Sequence, residues 1–439
     1  MEPNEALAAQ SRRSFLAKTA AVAGGTIFFG SQTYAARRLP VPLAGPRAAL
    51  EDDQPIRIAI IGTGGMGTGH CDAFTTINAE GRAKVHLVAI ADPWKANLDK
   101  AYEVCTKKQP GVEVKKYADY REMLKRDDIH GVLIASPEHW HSQHAIDVIK
   151  SGKDVYLEKP MTLRLEHALA LREVVQANPE IMFQVGTQKM RLPKYLEAKK
   201  LIADGIIGKP TMSQTSYCRN SKDGEWNYYH VDPNWKAGVD VDWDMWLGPA
   251  GKHPFDPYVL NRWRRYRNFS TGIVGDLLVH EITPMLMAID QGWPTRVVAV
   301  GGHLVDKAME NHDTVNLTIE FEKEHTMIVA GATNNEVGLE TLIRGNKANI
   351  YLNQRHCVVR PERHYVDEIE ARTIECPDIG DDQDQHRVGW LESIRSRQRP
   401  ASNIDLGTKV MVIVDLATRS MWDGHAYSFD PATMTAKRI

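Results

Sequence analysis

The chain has 439 residues, and its 54 lysines and arginines nearly balance its 56 aspartates and glutamates, for a net charge of −2. This balance excludes a broadly cationic nucleic-acid binder, so no nucleic-acid partner is expected. The length suffices for two domains, each with a core of its own. The five cysteines include no Cys-x-x-Cys pair, so buried thiols are favoured over a Cys357–Cys376 bridge.

The first 36 residues have the pattern of a twin-arginine export signal. Ser11–Lys18 reads Ser-Arg-Arg-Ser-Phe-Leu-Ala-Lys, and the apolar stretch Thr19–Gly30 follows it. That stretch is too short and glycine-rich to cross a bilayer, so no permanent membrane span is expected. We predict a signal over 1–36, a linker over 37–54, and export of the folded protein through the twin-arginine machinery to the periplasm. The alternative is a basic N-terminus without a sorting role.

A glycine-rich turn follows the first apolar run of the folded region. The run Ile56–Ile61 predicts a buried strand, and the turn leads into a helix whose first amides can face a diphosphate. A second run, Val85–Ala91, ends where dinucleotide-binding folds place a carboxylate for the adenosine ribose. The alternative is an ordinary strand–helix turn. The residues predicted to bind the dinucleotide here are Gly62, Gly64, Gly65, Met66, Gly67 and Asp92.

Residues 55–188 alternate between short apolar runs and helical patterns. This alternation predicts a doubly wound parallel sheet with its binding site at the carboxyl ends of the strands. The expected elements are helices Ala96–Lys107, Tyr120–Arg126, His144–Ser151 and Leu165–Ala177, and strands Gly131–Ala135, Asp154–Leu157 and Met182–Val185.

Residues 189–400 have a different character and predict a second domain. An aromatic and glycine-rich region precedes alternating runs that are typical of antiparallel strands. Residues 401–439 are expected to form a C-terminal helix and a tail that return to the first domain. The expected elements are helices Tyr195–Asp204, Gly275–Asp290, Asp384–Ser396 and Asp405–Ser420, and strands Arg296–Val300, Thr314–Phe321, Thr326–Ala330, Glu340–Arg344 and Ala348–Leu352.

Several motifs along the chain occur together in one known group of proteins. They are Gly62–Gly67, Ser136–His141 (Ser-Pro-Glu-His-Trp-His), Glu158–Pro160 (Glu-Lys-Pro), Val185–Gln188, Asp242–Pro249, Asp276–His280 and His386–Asp405. With them the chain resembles the Gfo/Idh/MocA group of nicotinamide-dependent oxidoreductases. The resemblance implies an α/β fold: an N-terminal Rossmann domain with a doubly wound parallel sheet, and a C-terminal α/β domain with a large open, mainly antiparallel sheet. It also implies a homo-oligomer, because such sheets pair.

The resemblance and the chemistry of the residues together indicate Lys159, Asp276 and His280 as catalytic. Oxidation of a sugar hydroxyl requires a base within reach of its proton, and the unperturbed pKa of histidine lies near neutrality. Asp276 lies one helical turn before His280, where it could orient the imidazole or bind a hydroxyl. The Lys159 ammonium could steady an alkoxide. The alternatives are a core histidine, a helix N-terminal acid and a solvated lysine.

The resemblance assigns further residues to the cofactor. Ser136, His141, Glu158 and Lys159 are expected to contact it, and the Lys159–Pro160 bond is often cis in this group. Glu138 stands where an asparagine is more usual. The histidines around His141 have no carboxylate or cysteine at ligand spacing, so no metal is expected.

Substrate contacts are expected from the aromatic and glycine-rich region. Sugar rings stack on aromatic faces, and Trp263, Arg262 and Tyr229 are the candidates. The arginine cluster to which Arg262 belongs is either a solvated face or a recognition site for a carboxylate or sulfate. The cluster consists of Arg262, Arg264, Arg265 and Arg267.

Asp92 favours NAD over NADP, although the nearby Lys95 leaves NADP open. An exported enzyme has no free nicotinamide pool around it, so the cofactor is expected to be tightly bound and restored in each turnover. The expected function is hydride transfer at a ring carbinol of a sugar or sugar derivative. The alternatives are an NAD-dependent glycoside hydrolase, acting by oxidation, elimination, hydration and reduction, and a non-catalytic sugar-binding protein.

Overall fold

The computed structural model describes residues 50–51 and 53–439. The predicted export signal and nearly all of the predicted linker lie outside these residues. The described part of the chain is built around two β-sheets, one of six strands and one of ten. Among its helices, none has both the length and the apolar character that crossing a membrane requires.

The first sheet is parallel throughout, with strand order β3-β2-β1-β4-β5-β6. Its central strands are almost wholly buried, as expected for a sheet covered by helices on both faces. The order reverses between β1 and β4, and such a reversal opens a crevice at the carboxyl ends of the strands. The strands are β1 (Ile56–Ile61), β2 (Val85–Ala91), β3 (Lys115–Tyr117), β4 (Gly131–Ile134), β5 (Asp154–Leu157) and β6 (Phe183–Val185).

The helices of this domain follow the predicted order, with one start displaced. The helix expected at His144 begins at Glu138, directly after Pro137, where an acidic side chain favours the first turn. Strand β3 was not predicted, because it is a short, polar strand at the sheet edge. The helices are α1 (Gly65–Ala79), α2 (Lys95–Lys108), α3 (Tyr120–Leu124), α4 (Glu138–Lys150) and α5 (Leu165–Ala177).

The second sheet has the order β14-β13-β12-β11-β7-β10-β9-β8-β15-β16. Only the β7–β10 pair is parallel, so the predicted fold class is confirmed. Strand β7 was not predicted, because Ser213 and Thr215 take the buried positions where an apolar alternation would be visible. The strands are β7 (Pro210–Cys218), β8 (Pro294–Gly302), β9 (Thr314–Phe321), β10 (Thr326–Ala332), β11 (Leu342–Gly345), β12 (Ala348–Tyr351), β13 (Cys357–Pro361), β14 (Arg372–Ile374), β15 (Tyr427–Asp430) and β16 (Thr435–Arg438).

A buried helical segment packs on β7 and β10 of the ten-stranded sheet. The helix predicted from Gly275 starts instead as a π-helical turn, Val274–Leu278, and then continues as an α-helix; every residue of both is buried. Single π-helical turns often accompany functional sites. The α-helices before the C-terminal segment are α6 (Pro193–Ala203), α7 (Trp243–Leu247), α8 (Pro257–Arg262) and α9 (Val279–Ile289).

The C-terminal segment is divided between the domains differently from the expectation. Helix α10 (Asp382–Ser396) already packs on the Rossmann domain, where Trp390 is fully buried beside Phe74 and Tyr156. Helix α11 (Ile404–Asp423) contacts both α5 and β8. The tail does not return to the Rossmann domain, because its hairpin of β15 and β16 extends the ten-stranded sheet.

The glycine turn provides a test with an internal control. A Cβ on Gly67 would lie 1.9 Å from the Gly62 carbonyl oxygen, whereas a Cβ on Gly65 would have no atom within 4 Å. We expect Gly67→Ala to destabilise the apoprotein by about 1–3 kcal/mol, because the helix must move away from the turn. Gly65→Ala should leave stability unchanged or slightly higher. Urea unfolding measures both, and equal losses would contradict the assignment.

Candidate functional site

A cleft of about 370 Å³ lies at the carboxyl ends of β1, β2 and β4, between the two domains. This volume is within the range of small-molecule and cofactor sites. One wall comes from the Rossmann domain and the other from the segment that precedes the π-helical turn. Residues predicted from sequence that line it are Gly62, Gly64, Gly65, Met66, Asp92, Ser136, Tyr229 and Trp263.

The glycine turn presents bare backbone to this cleft. Helix α1 begins at Gly65, and no side chain caps it at Gly64, so its first N–H groups are available to a ligand. Gly62 has a φ of +85°, and a Cβ there would lie 2.5 Å from the Ser136 nitrogen. Only glycine fits this position. Gly67 lies outside the cleft and packs against the turn itself.

Asp92 lies at the end of β2 and lines the cleft. One carboxylate oxygen accepts the Thr63 N–H at 2.6 Å, and the other accepts the Trp94 N–H at 2.8 Å. Burial raises the pKa of Asp92 to about 6. Acceptor capacity remains for a ribose hydroxyl. The Lys95 ammonium, by contrast, pairs with Asp99 on the surface and does not line the cleft.

The three histidines of α4 have three different partners. His139 Nε2 lies 3.0 Å from the Trp246 carbonyl, and His144 Nδ1 lies 3.0 Å from Ser136 Oγ. The His141 ring lies outside the cleft, between the carbonyl oxygens of Pro160 (2.7 Å) and Ser136 (2.8 Å). Within residues 50–51 and 53–439, no group of three or more histidine, cysteine or acidic side chains is arranged to hold a metal ion.

A buried ion group lies beside the cleft. Lys159 Nζ donates to Asp276 Oδ1 at 3.0 Å and to the Asp276 carbonyl at 2.9 Å, and Arg264 Nε donates to the same Oδ1 at 2.9 Å. The Lys159 and Asp276 side chains are 8% and 9% exposed. Burial acts to raise the pKa of Asp276, but the two cations outweigh it and hold that pKa well below its usual range. The Lys159–Pro160 bond is cis.

His280 is buried behind this group and does not line the cleft. Burial, aided by the charge of Lys159, lowers the pKa of His280 to about 3. From its residue type, His280 was expected to have a pKa near neutrality, and in the folded protein its pKa is far lower. The imidazole is therefore uncharged at physiological pH. Its buried Nδ1 has no hydrogen-bond partner among the described residues. Asp276 binds Lys159 and Arg264 through Oδ1, and among the described residues it makes no hydrogen bond to the buried His280 Nδ1.

Glu158, expected to contact the cofactor, also lies outside the cleft. One of its oxygens lies 2.8 Å from His70 Nε2, and the other accepts the Lys159 N–H at 3.1 Å. Glu158 therefore contacts the backbone of Lys159, within the Glu158–Pro160 motif, and not the cleft.

The arginine cluster separates into four environments. Arg262 does not line the cleft; its Nε donates to the Tyr229 carbonyl at 2.9 Å. Arg265 is buried against Asp306, and Arg267 lies over the Trp422 ring. A solvated face is therefore wrong for this cluster as a whole. Arg264 is the member that lines the cleft, and it also contacts Asp276.

This arrangement matches one protein family over nearly the whole folded region. The family model for an oxidoreductase with an NAD-binding Rossmann fold matches residues 56–187. The companion model for its C-terminal α/β domain matches residues 194–438. The chain belongs to the Gfo/Idh/MocA oxidoreductase family.

Curated relatives of this Gfo/Idh/MocA chain include glycosidases. An alpha-N-acetylgalactosaminidase from Shewanella oneidensis is 30% identical over 244 residues, which are 51% of this chain and 51% of the relative. A glycosyl hydrolase family 109 protein from Shewanella baltica is 29% identical over 245 residues, again 51% of each chain. The chain thus spans about half the length of these curated relatives.

Solved structures of similar fold include sugar-converting enzymes. Levoglucosan dehydrogenase in complex with NADH and levoglucosan has a TM-score of 0.64 at 20% identity, over 88% of this chain and 100% of that one. Aldose-aldose oxidoreductase from Caulobacter crescentus, complexed with glycerol, has a TM-score of 0.62 at 16% identity, over 86% and 100%. At these identities the likeness establishes the fold.

Sequence reasoning did not predict one segment that forms part of the cleft wall. Residues 234–247, here called the strap, pair with the residues that follow β2: Lys95 N–H donates to the Asp240 carbonyl and Asp242 N–H to the Pro93 carbonyl, each at 3.0 Å. The Trp94 and Trp235 rings meet edge to face at 4.8 Å. The motif Asp242–Pro249 was visible in the sequence, but nothing local indicates its partner. Cleft residues not predicted as individual site residues include Trp94, Asn97, Trp140, Met245, Trp246 and Asn261, whereas Arg264 was expected only as a member of the arginine cluster.

Glu138 joins the two domains through buried hydrogen bonds. Its carboxylate accepts from Ser270 Oγ at 2.5 Å and from both the N–H and the hydroxyl of Thr271 at 2.9 Å. These residues lead into the turn that carries Asp276. Burial raises the pKa of Glu138 to about 7. The departure from the usual asparagine thus supplies two acceptor oxygens at the base of the ion group.

The ion group gives a prediction with a matched control. Asp276→Asn leaves Lys159 and Arg264 buried together without an anion, so we expect a loss of about 3–5 kcal/mol in unfolding free energy. Turnover should fall by about 100-fold, because Lys159 is no longer held. Asp306→Asn breaks the buried pair with Arg265 away from the cleft; it should destabilise the protein but leave turnover within a few-fold. Urea unfolding and initial rates measure these effects. Equal turnover losses would rule out a special role for Asp276.

Proposed function

We propose that this protein is an NAD-dependent enzyme that oxidises a ring carbinol of a sugar or sugar derivative and keeps its cofactor bound. One observation carries the proposal. Arg264 lines the cleft and also contacts Asp276, which binds the Lys159 ammonium. The dinucleotide cleft and the catalytic candidates therefore share a wall.

The residues at the cleft fit a dinucleotide. The uncapped first turn of α1 and the bare glycines suit a diphosphate, and Asp92 retains acceptor capacity for a ribose hydroxyl. The cleft favours NAD over NADP, because its described lining includes the Asp92 carboxylate and no lysine, and Lys95 pairs with Asp99 at the surface. A bound nicotinamide supplies the acceptor for a hydride.

The ion group supplies the polar chemistry that oxidation of a carbinol needs. As a hydroxyl loses its proton, negative charge develops on its oxygen, and a buried ammonium at that point stabilises it. Asp276 holds the Lys159 side chain in place through their ion pair. His280 is neutral, but a pKa of about 3 makes it a weak base and it does not line the cleft, so Lys159 is proposed to supply the polar chemistry.

The strap supports retention of the cofactor. The strap is hydrogen-bonded to Pro93 and Lys95, next to Asp92, whose carboxylate is proposed to bind the ribose. It also contributes Met245 and Trp246 to the cleft. Release of a dinucleotide would require these contacts to open. We propose that the cofactor therefore stays bound and is restored within each turnover.

A second candidate, net glycoside hydrolysis, is favoured by the glycosidases among the relatives. Transient oxidation of a ring carbon acidifies the adjacent C–H, so elimination, addition of water and re-reduction can cleave the glycosidic bond. This sequence is redox-neutral, and it suits a cofactor that never leaves.

Two expectations concern the whole protein. We propose export through the twin-arginine pathway on the basis of the Ser11–Lys18 motif. Fractionation of expressing cells tests this proposal, and recovery of the protein only in the cytoplasm would refute it.

We also propose that the protein is a homo-oligomer, because the ten-stranded sheet is open. Light scattering tests this proposal, and a monomer would refute it.

Purified protein without added cofactor should turn over. We expect either an aryl glycoside to release its aglycone with no accumulation of NADH, or one sugar to be oxidised as another is reduced. The first result identifies the hydrolase and the second the oxidoreductase. Lys159→Met should lower either rate by about 100-fold or more. Lys209→Met, which removes a surface ammonium paired with Glu324, serves as the control. Full turnover by Lys159→Met would refute the role proposed for Lys159, whereas the absence of turnover in the wild-type protein would favour the non-catalytic alternative.

Retention depends on the strap in this account. Trp235→Ala removes the edge-to-face contact with Trp94 without changing a residue that lines the cleft. We expect bound NAD to dissociate about three- to tenfold faster, the range that one aromatic pair explains. Tyr258→Ala, at a half-exposed ring after the strap, should leave the rate unchanged. Dinucleotide remaining after timed gel filtration gives the rate; equal rates in wild type and Trp235→Ala would exclude the strap as the retaining element.

A further inference from the structure

A chain of buried polar side chains leads from helix α10 to the backbone of Lys159. Arg387 Nε donates to His70 Nδ1 at 2.9 Å, so the ring proton of a neutral His70 is on Nε2. That Nε2 lies 2.8 Å from Glu158 Oε1, to which it donates. At the other end, Arg387 Nη1 donates to Asp384 Oδ1 at 2.6 Å. The last link is the bond from Lys159 N–H to Glu158 Oε2.

Burial makes this chain of contacts consequential. His70, Glu158 and Arg387 are each at most 5% exposed. A carboxylate so far from water would take up a proton unless donors and charge held it ionised. Burial acts to raise the pKa of Glu158, but the His70 hydrogen bond and the nearby Lys159 outweigh it and hold that pKa below its usual range. Burial lowers the pKa of His70, so the pair is a carboxylate and a neutral imidazole.

The Glu158 carboxylate is closely packed. A Cβ on Gly186 would lie 2.9 Å from Glu158 Oε1 and 2.6 Å from the Tyr156 ring. The His70 ring meets the same tyrosine ring at 5.5 Å. Close packing on both sides therefore keeps Glu158 directed towards His70 and the Lys159 backbone.

We propose that His70 and Arg387 are positioning residues of the catalytic centre: through them helix α10 keeps Glu158 ionised, and Glu158 fixes the backbone that carries Lys159. The inference rests on the proposed role of Lys159. The two residues are separated by 317 positions in the sequence and belong to different elements. Helix α10 thus supports Lys159, a residue of the Rossmann domain that is distant from it in sequence.

A purely structural role for Arg387, as an anchor of α10, is the competing explanation. The structure offers a control for it. Arg82, in the Rossmann domain, forms an ion pair with Asp384 of α10 at 2.8 Å, and Arg82 does not contact Glu158. Loss of Arg82 weakens the packing of α10 on the Rossmann domain but removes no contact of the Glu158 carboxylate.

The first test compares kcat and KM of the holoenzyme variants. Glutamine at position 70 can donate to Glu158 and accept from Arg387, whereas phenylalanine can do neither. We expect His70→Phe and Arg387→Met to lower kcat by about 10- to 100-fold with KM nearly unchanged, because the ammonium is misplaced. His70→Gln should restore most of the loss, and Arg82→Met should behave as wild type. Equal kcat in His70→Phe and His70→Gln, or equal losses in Arg82→Met and Arg387→Met, would overturn the proposal.

The second test needs neither cofactor nor substrate, so it remains valid if the proposed function fails. Both His70 variants lack the imidazole, and the difference between them therefore reports on Glu158. In His70→Gln the folded-state pKa of Glu158 stays below the unfolded value, so its stabilisation is present above that value and lost in acid. In His70→Phe burial raises the pKa, so stability is lost as the pH rises. The urea midpoint of His70→Gln minus that of His70→Phe should grow from pH 4 to 7; a constant difference would overturn the ionised carboxylate.

Discussion

One buried carboxylate, that of Asp276, is shared by a cation from each domain. Lys159 reaches it from the end of the Rossmann sheet, and Arg264 reaches it from the segment that forms the opposite wall of the cleft. A buried charge that loses a partner is costly, so this contact restricts how the two domains can sit against each other. The same contact that holds the domains together also places an ammonium beside the cleft.

Other interdomain contacts follow the same rule. Glu138 binds Ser270 and Thr271 across the interface, and Arg387 reaches His70 from helix α10. Each contact satisfies a buried polar group with a partner distant in sequence. Such contacts give less net stability than an apolar core would, but they are satisfied in only one arrangement. The site is accordingly built from the interface and not from either domain alone.

The sequence predicted the features that depend on local pattern. Apolar runs such as Ile56–Ile61 and the glycine turn after it specify a strand and a bare helix N-terminus within a few residues. Strand β7 was not predicted, because its buried positions hold the polar residues Ser213 and Thr215 and no apolar alternation is visible. The position of the strap was not predicted, because its pairing with Pro93 and Lys95 is a long-range contact that no local sequence pattern indicates.

The chemistry of the site was harder to predict than its location. Arg262 and Arg264 are two residues apart, yet only Arg264 lines the cleft, because a short turn sends the side chains in different directions. His280 was identified from its residue type, but its pKa of about 3 is set by burial and by Lys159. Residue type gives the reference pKa, and the fold decides the protonation state.

The central claim is that the cleft beside Asp276 and Lys159 holds a nicotinamide dinucleotide that stays with the protein. Its most direct test is to purify the protein without added cofactor, denature it, and quantify the released dinucleotide by absorbance and mass spectrometry. The account predicts a stoichiometric amount of NAD. A preparation that releases none, and that shows no thermal stabilisation when NAD or NADP is added, would contradict it.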